Sequence, residues 1–247
     1  MSSTNQPPKV GCFLTTGDSL IAERLAHCAL NYLCIDLQHG FLTESEARHC
    51  IQAISTSSKV EIWARPASRT SEQIGRLCDW GIQALVIPMI ETPEQVIAVL
   101  NATCYPPDGT RSFGPIRPSF VTPVSNELKD RPVKVFAMIE TKQAIDNLEE
   151  IASINGLAGI YFGPTDLGIA LGYGPRDPFE SKTRVIEVMK LGVDVARKHG
   201  LSCASHSPSP IEAQRILEMG FDHVTLGNDL NIFSMAVNEF ARKCRGE

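Results

Sequence analysis

Eight short apolar, β-branched runs, separated for the most part by longer amphipathic segments, constrain this chain more than any other feature of it. The strand-like runs cover residues 10–14, 32–37, 60–64, 84–88, 133–139, 159–162, 201–204 and 223–226. The helical segments fall at 43–55, 72–80, 93–102, 144–154, 187–199, 210–219 and 230–242. Strands alternating with helices make βα units around a parallel sheet, whose crossovers bury both faces. Eight such strands in 247 residues predict one α/β domain, a (β/α)8 TIM barrel rather than an open doubly wound sheet. The expected domain spans residues 9–247, after a flexible tail at 1–8.

Composition narrows the class further. A hydrophobic share of 43% with 21% charged residues suits a globular protein. The formal net charge of -5 and the absence of any basic run offer nothing to a phosphate backbone or an anionic membrane, so neither nucleic acid nor membrane is an expected partner. No apolar run reaches 18 residues, and the first eight residues lack a signal-peptide pattern, so the expected location is the cytoplasm. None of the eight cysteines forms a C-x-x-C pair, and several fall in apolar segments, which predicts buried free thiols rather than disulfides or zinc ligands. Residues 105–131 break the rhythm with Pro106, Pro107, Gly109, Gly114, Pro115, Pro118 and Pro123; so long a loop is read as functional or mobile.

In a barrel of this kind chemistry collects where the strands end at the C-terminal rim. The strand ends here are rich in polar residues: Asp36-Leu37-Gln38-His39, Arg65-Pro66, Glu140, Gly163-Pro164-Thr165-Asp166, Ser205-His206 and Gly227-Asn228-Asp229. Glu140 and Asp166, with no cysteine cluster beside them, suit a hard divalent cation, or else each caps the helix after its strand. Arg65, at the mouth of an apolar barrel, would be satisfied by an anionic ligand or by an ion pair with Asp36 or Glu61. His39 is either a functional base or a plain loop histidine, and His206 either touches substrate or belongs to a helix-capping turn. Asp79, in the last turn of its predicted helix, opposes the helix dipole and should be exposed or paired with a cation. Arg111 and Arg117 could place cations over the pocket, while the prolines and glycines around them read as a turn.

Together the segments Ile35-Asp36-Leu37-Gln38-His39-Gly40, Ala64-Arg65-Pro66, Val86-Ile87-Pro88-Met89-Ile90, Tyr105-Pro106-Pro107-Asp108-Gly109-Thr110-Arg111, Met138-Ile139-Glu140-Thr141 and Gly163-Pro164-Thr165-Asp166-Leu167 resemble the HpcH/HpaI class II pyruvate aldolases over residues 9–243. The resemblance implies a barrel of the phosphoenolpyruvate/pyruvate-binding type. It implies a lyase that splits a 4-hydroxy-2-oxo acid into pyruvate, or a close analogue, and an aldehyde. It also implies a divalent metal (Mg²⁺, Mn²⁺ or Co²⁺) on Glu140 and Asp166, with no organic cofactor. Arg65 matches the arginine at the keto oxygen, and His39 with Asp79 the catalytic dyad. Gly163, Pro164, Thr165 and Asp166 match the substrate-binding segment, whose amides around Thr165 and Asp166 hold the carboxylate. The same resemblance implies a homohexamer, a trimer of dimers exchanging the helix at 230–242. One departure is Gln38, where family members often carry glutamate, so an acid role there does not carry over.

Three rivals are weighed against this expectation. A Schiff-base aldolase needs a desolvated lysine in the barrel, and Lys134, the one lysine in a predicted strand, stands at the wrong end. A CoA-ester lyase of the malyl-CoA or citryl-CoA type would keep fold and metal. A non-catalytic barrel that binds a 2-oxo acid would keep the fold alone.

Overall fold

The computed structural model describes residues 7–121 and 133–247. Most of the expected tail (1–6) and residues 122–131 of the proline-rich stretch lie outside the described residues. Eight parallel strands close into a barrel in sequence order: β1 (Lys9–Leu14), β2 (Tyr32–Asp36), β3 (Glu61–Arg65), β4 (Ala84–Ile87), β5 (Lys134–Ile139), β6 (Gly159–Phe162), β7 (Ser202–Ser207) and β8 (His223–Asn228). The seam between β1 and β8 shifts register between Cys12 and Phe13. Every run expected to be a strand is one; β7 and β8 extend further toward the rim than their apolar cores suggest, because the polar residues that continue them still pair with neighbours.

The helices are α1 (Ser19–Ala26), α2 (Glu44–Ile54), α3 (Ser71–Asp79), α4 (Pro93–Thr103), α5 (Pro118–Val121), α6 (Lys142–Asp146), α7 (Leu148–Ala152), α8 (Pro164–Ala170), α9 (Thr183–Lys198), α10 (Pro210–Glu218) and α11 (Asp229–Arg245). Local chemistry starts them where expected: Thr43 and Glu46 form a capping box on α2, and Thr70 caps α3. Three departures have physical causes. The helix expected at 144–154 is split at Asn147, whose side-chain amide donates to Glu91 O at 2.7 Å instead of continuing a single helix. Helix α1 escapes notice because it buries only Ala22 and Ala26 while exposing Leu20 and Ile21, so it shows no apolar stripe. Helix α8 begins at Gly163-Pro164, which reads as loop punctuation although proline is favourable at the first helical position.

Alternation along the strands divides the apolar residues into two sets. Outward residues such as Leu33, Ile35, Ile62, Leu85 and Ile160 pack under the helices. Inward residues Phe13, Tyr32, Trp63, Phe136, Met138 and Tyr161 fill the interior. Trp63 stacks between Tyr32 and Phe136 at centroid distances of 4.1 and 4.7 Å. Thr225 Oγ1 lies 2.8 Å from the Tyr32 hydroxyl and accepts from that of Tyr161 at 2.7 Å, so both buried phenols are satisfied. Gly11 makes this possible: a Cβ there would lie 2.2 Å from the Tyr32 ring.

Below the aromatic layer, at the strands' N-terminal end, Glu61 meets Lys9 at 3.0 Å and Lys134 at 3.3 Å. His223 packs against Trp63 and Phe136 there, with Nδ1 buried and without a hydrogen-bond partner among the described residues. Burial, reinforced by Lys9, holds the His223 imidazole down at about 4, and burial, reinforced by Arg65, does the same to His206 near the other end of the barrel. Both rings fold neutral, so between pH 6.5 and about 4 the unfolded chain binds more protons than the folded one. Their stabilising contribution is complete above pH 6.5 and declines as pH falls toward 4, by on the order of 3 kcal/mol per histidine. Urea unfolding should show a falling midpoint from pH 7 to pH 5, shallower in His223→Gln; a parallel pH dependence in that variant would refute the cause.

Candidate active site

The inward parity of the strands, carried one step beyond the aromatic layer, builds the site. Thr15 follows Phe13 by two, Asp36 follows Cys34, Arg65 follows Trp63, Glu140 follows Met138 and His206 follows Ala204. These side chains converge at the C-terminal rim, where helix α8 adds its first turn. A cavity of about 210 Å³ opens there, lined by Phe13, Thr15, Asp36, His39, Arg65, Met138, Gly163, Thr165, Asp166, His206 and Asn228.

Arg65 is buried and grips Asp36 with two prongs, Nε to Oδ1 at 2.9 Å and Nη2 to Oδ2 at 2.6 Å. Its guanidinium carbon lies 4.4 Å over the Phe13 ring. Burial works against the charge, but the bonds and charge of Asp36 more than offset it and raise the Arg65 pKa. Of the two ion pairs open to Arg65, the structure therefore makes the one with Asp36; Glu61 sits at the opposite end. The pair does not exhaust the fork, because no hydrogen bond engages Nη1 among the described residues. Asp36 does more than pair: Oδ1 also accepts the N–H of Gln38 at 3.1 Å and of His39 at 3.3 Å, which shapes the turn presenting His39. The sequence offers Asp36 only as a possible ion-pair partner of Arg65, although its inward parity with Cys34 sets it in the rim layer.

Glu140 is buried, and its Oε1 accepts the Met89 amide at 2.7 Å. Burial first, then the charge of Asp166, pushes the Glu140 carboxyl up, against the Met89 hydrogen bond and Arg65. Thr141 rather than Glu140 caps the following helix, accepting from Ala144 N at 3.1 Å. Asp166 lies in the first turn of α8, where the helix dipole favours it, and no hydrogen bond engages its carboxylate among the described residues. Glu140 Oε2 is likewise free of donors among the described residues. Two mutually repelling carboxylates with unengaged oxygens fit a hard divalent cation, which takes oxygen ligands and relieves the repulsion. No cluster of three or more His, Cys, Asp or Glu residues arranged for a metal occurs among the described residues. Glu140 and Asp166 would thus be its protein ligands, leaving other positions to water and ligand oxygens.

Within one chain the structure sets apart His39 and Asp79, which the resemblance implies as a dyad. His39 is exposed and lines the cavity. Asp79 ends α3, which runs back along the outside of the barrel, so it lies near the N-terminal face. Its cationic partner is Arg111, with Nη2 2.5 Å from Asp79 Oδ1, and not His39 of the same chain. Residues 104–117 follow α4 and so lie at that same far face. Arg117 donates there to Trp80 O at 2.8 Å and Ser55 Oγ at 2.6 Å, and Tyr105 O accepts the amides of Asp108 and Gly109 at 3.0 Å. Neither arginine reaches over its own pocket, because connections from helix to strand fall opposite the rim.

His206 stands within β7 facing the cavity, 5.7 Å from the Phe13 ring, while Ser209 performs the helix capping once open to the Ser205-His206 turn. Asp229, the first residue of α11, is buried and receives the backbone N–H groups of Thr15 and Thr16 at 3.0 and 3.1 Å along with both hydroxyls. It ties the exit of β1 to that of β8. All eight cysteines are free thiols; Cys12, Cys34, Cys50, Cys78 and Cys203 are buried, while Cys28 and Cys244 are exposed and Cys104 is half-buried, so burial holds for the strand and helix-core positions and not for all eight.

Known proteins share this architecture. A family model described as HpcH/HpaI aldolase/citrate lyase matches residues 9–236. The 2-keto-3-deoxy-L-rhamnonate aldolase of Escherichia coli (strain K12) is 29% identical over 235 residues, covering 94% of this chain and 86% of the relative. Among solved structures, a HpcH/HpaI aldolase/citrate lyase family protein from Burkholderia cenocepacia J2315 superposes with a TM-score of 0.85 at 24% identity, covering 97% of this chain and 95% of the other. The citrate lyase beta subunit from M. tuberculosis, solved with oxaloacetate and magnesium, superposes with a TM-score of 0.59 at 17% identity, covering 90% and 92%.

Proposed function

The chain belongs to the HpcH/HpaI aldolase/citrate lyase family and is a carbon–carbon lyase, and from that premise we propose that it is a class II aldolase. It would split a 4-hydroxy-2-oxo acid reversibly into pyruvate, or a close analogue, and an aldehyde. The observation that carries this reading is a cavity lined by Asp166, whose carboxylate is unengaged, and Arg65, whose Nη1 is unengaged, with Glu140 Oε2 directly behind Gly163 in its wall. At about 210 Å³ that cavity is smaller than the roughly 300–1,000 Å³ of most ligand pockets, which suits a three-carbon 2-oxo acid.

The citrate lyase beta subunit of like fold was solved with magnesium, and the family resemblance implies a divalent metal here as well. Glu140 and Asp166 would hold such a cation, which would supply positive charge to offset the negative charge that develops as the carbon–carbon bond breaks. Nη1 of Arg65 donates to the keto oxygen, where negative charge grows as the C3–C4 electron pair moves to C3. Asp36 keeps that guanidinium charged and aimed. The N–H groups of Thr165 and Asp166, which lack intrahelical acceptors in the first turn of α8, bind the substrate carboxylate beside Gly163 and Pro164. His39 accepts the C4 hydroxyl proton, the aldehyde departs, and C3 is protonated by that proton, returned from His39 directly or through water, giving pyruvate and regenerating the neutral imidazole. His206, kept neutral by burial, is a second imidazole in the same cavity.

Assembly belongs to this reading. Residues 230–240 of α11 are all exposed, Phe233 and Phe240 to 68% and 72%, so the helix has an apolar face without cover among the described residues of its own chain. Exchange of this helix between copies in a hexamer, a trimer of dimers, would cover it. A dyad of His39 with Asp79 then has to form between copies, since one chain holds the two at opposite faces. No helix among the described residues is long and apolar enough to cross a membrane.

Pyruvate release from a panel of 4-hydroxy-2-oxo acids, with Mg²⁺, Mn²⁺ or Co²⁺, tests the proposal. Activity should vanish with EDTA, and borohydride should leave no adduct, since no lysine lines the cavity. Oxalate should compete while CoA esters do not. Absence of release with every metal, or competition by CoA esters, would overturn it in favour of the binding or CoA-ester reading.

A further inference from the structure

The turn leaving β4 is the one place among the described residues where a non-glycine residue takes a positive φ: Met89, at 54°. A long side chain there is strained, and strain of this kind persists where the surroundings impose it. Packing of the Met89 side chain does not account for it, because that side chain is 45% exposed. The backbone does. Its amide donates to Glu140 Oε1 at 2.7 Å, and its carbonyl accepts from Arg69 Nη1, which also donates to Pro88 O at 3.3 Å. On the other side of the carboxylate stands Gly163, where an added Cβ would lie 2.7 Å from Glu140 Oε2.

From this we infer that Arg69 and the left-handed Met89 turn are positioning elements for Glu140. They hold Oε1 against the backbone so that Oε2 alone is presented to a divalent cation, with Gly163 leaving that oxygen the space it needs. The inference rests on the reading of Glu140 as a cation ligand and adds how that ligand is aimed and how many of its oxygens it offers. A carboxylate fixed in this way enters the site already oriented, and outer partners of metal ligands commonly govern affinity.

The test is a substitution series at 89 graded by tolerance of positive φ, with Mn²⁺ binding to the full chain measured by calorimetry and thermal unfolding recorded without metal. Met89→Gly and Met89→Asn accept the left-handed conformation and should bind Mn²⁺ within about twofold of wild type, although Gly removes the whole side chain. Met89→Val, β-branched and intolerant of that conformation, should weaken binding by roughly 10- to 100-fold. Arg69→Ala, at an exposed side chain whose loss leaves the barrel folded, should weaken it in the same direction, with partial recovery in Arg69→Lys. Wild-type affinity in both Met89→Val and Arg69→Ala, or equal loss in Met89→Gly and Met89→Val, would overturn the inference. Glu140→Ala separates the two levels: if it binds Mn²⁺ as wild type does, the cation reading itself is wrong, whereas its loss beside intact Met89→Val and Arg69→Ala defeats only the positioning role.

Discussion

Glu140→Ala and Asp166→Ala should each lose divalent-cation affinity and cut turnover by roughly three orders of magnitude, while the barrel still forms. The size follows from the chemistry: charge stabilisation by a cation at a breaking carbon–carbon bond amounts to several kcal/mol, and about 1.4 kcal/mol is a tenfold rate change. The fold should tolerate the loss because the two carboxylates repel one another. Removing Glu140 relieves that repulsion while stranding the Met89 amide, a cost of about 1–3 kcal/mol. Steady-state kinetics across metal concentrations, with urea unfolding of the metal-free proteins, separates loss of the site from loss of the fold. Wild-type, metal-dependent cleavage by either variant would show that the cation is held elsewhere.

Arg65→Lys should lower kcat by roughly 10²–10³-fold with a much smaller change in KM, since the charge survives but the fork that reaches both Asp36 and the keto oxygen does not. Arg65→Ala adds a structural penalty. It leaves Asp36 buried without its partner, a change that costs about 3–5 kcal/mol when one member of a buried ion pair is removed. Adding Asp36→Asn to Arg65→Ala should recover much of that stability and none of the activity, a pattern expected only if stability resides in the pair and chemistry in the arginine. Kinetics and urea unfolding of the four proteins check this. An Arg65→Lys enzyme with unchanged kcat would remove Arg65 from the chemistry.

The barrel was legible because its signals are short-range. A run such as Val135–Ile139 declares a buried strand from its own composition, and the capping box of Thr43 and Glu46 declares the start of α2 from four residues. The rim residues were legible in part for the same reason. Parity places Arg65 and Glu140 inward from Trp63 and Met138, and the same count places Asp36, although its bond to Arg65 follows only once β2 and β3 are set side by side. Helix α1 stayed hidden because its exposed Leu20 and Ile21 blur the apolar stripe, and α8 because proline and glycine punctuate loops and helix starts alike.

By itself the sequence determined a parallel barrel, its eight strands, and a rim carrying Arg65 and Glu140, because alternation by two along a strand is a property of neighbouring residues; His39 and Asp166 follow just beyond the ends of β2 and β6. Tertiary structure alone decided which side chains are already engaged. Asp36 takes two prongs of Arg65, the Met89 amide takes one oxygen of Glu140, and Asp79 goes to Arg111 at the opposite face. Those outcomes depend on how elements tens of residues apart are brought into register, and no local pattern encodes that distance.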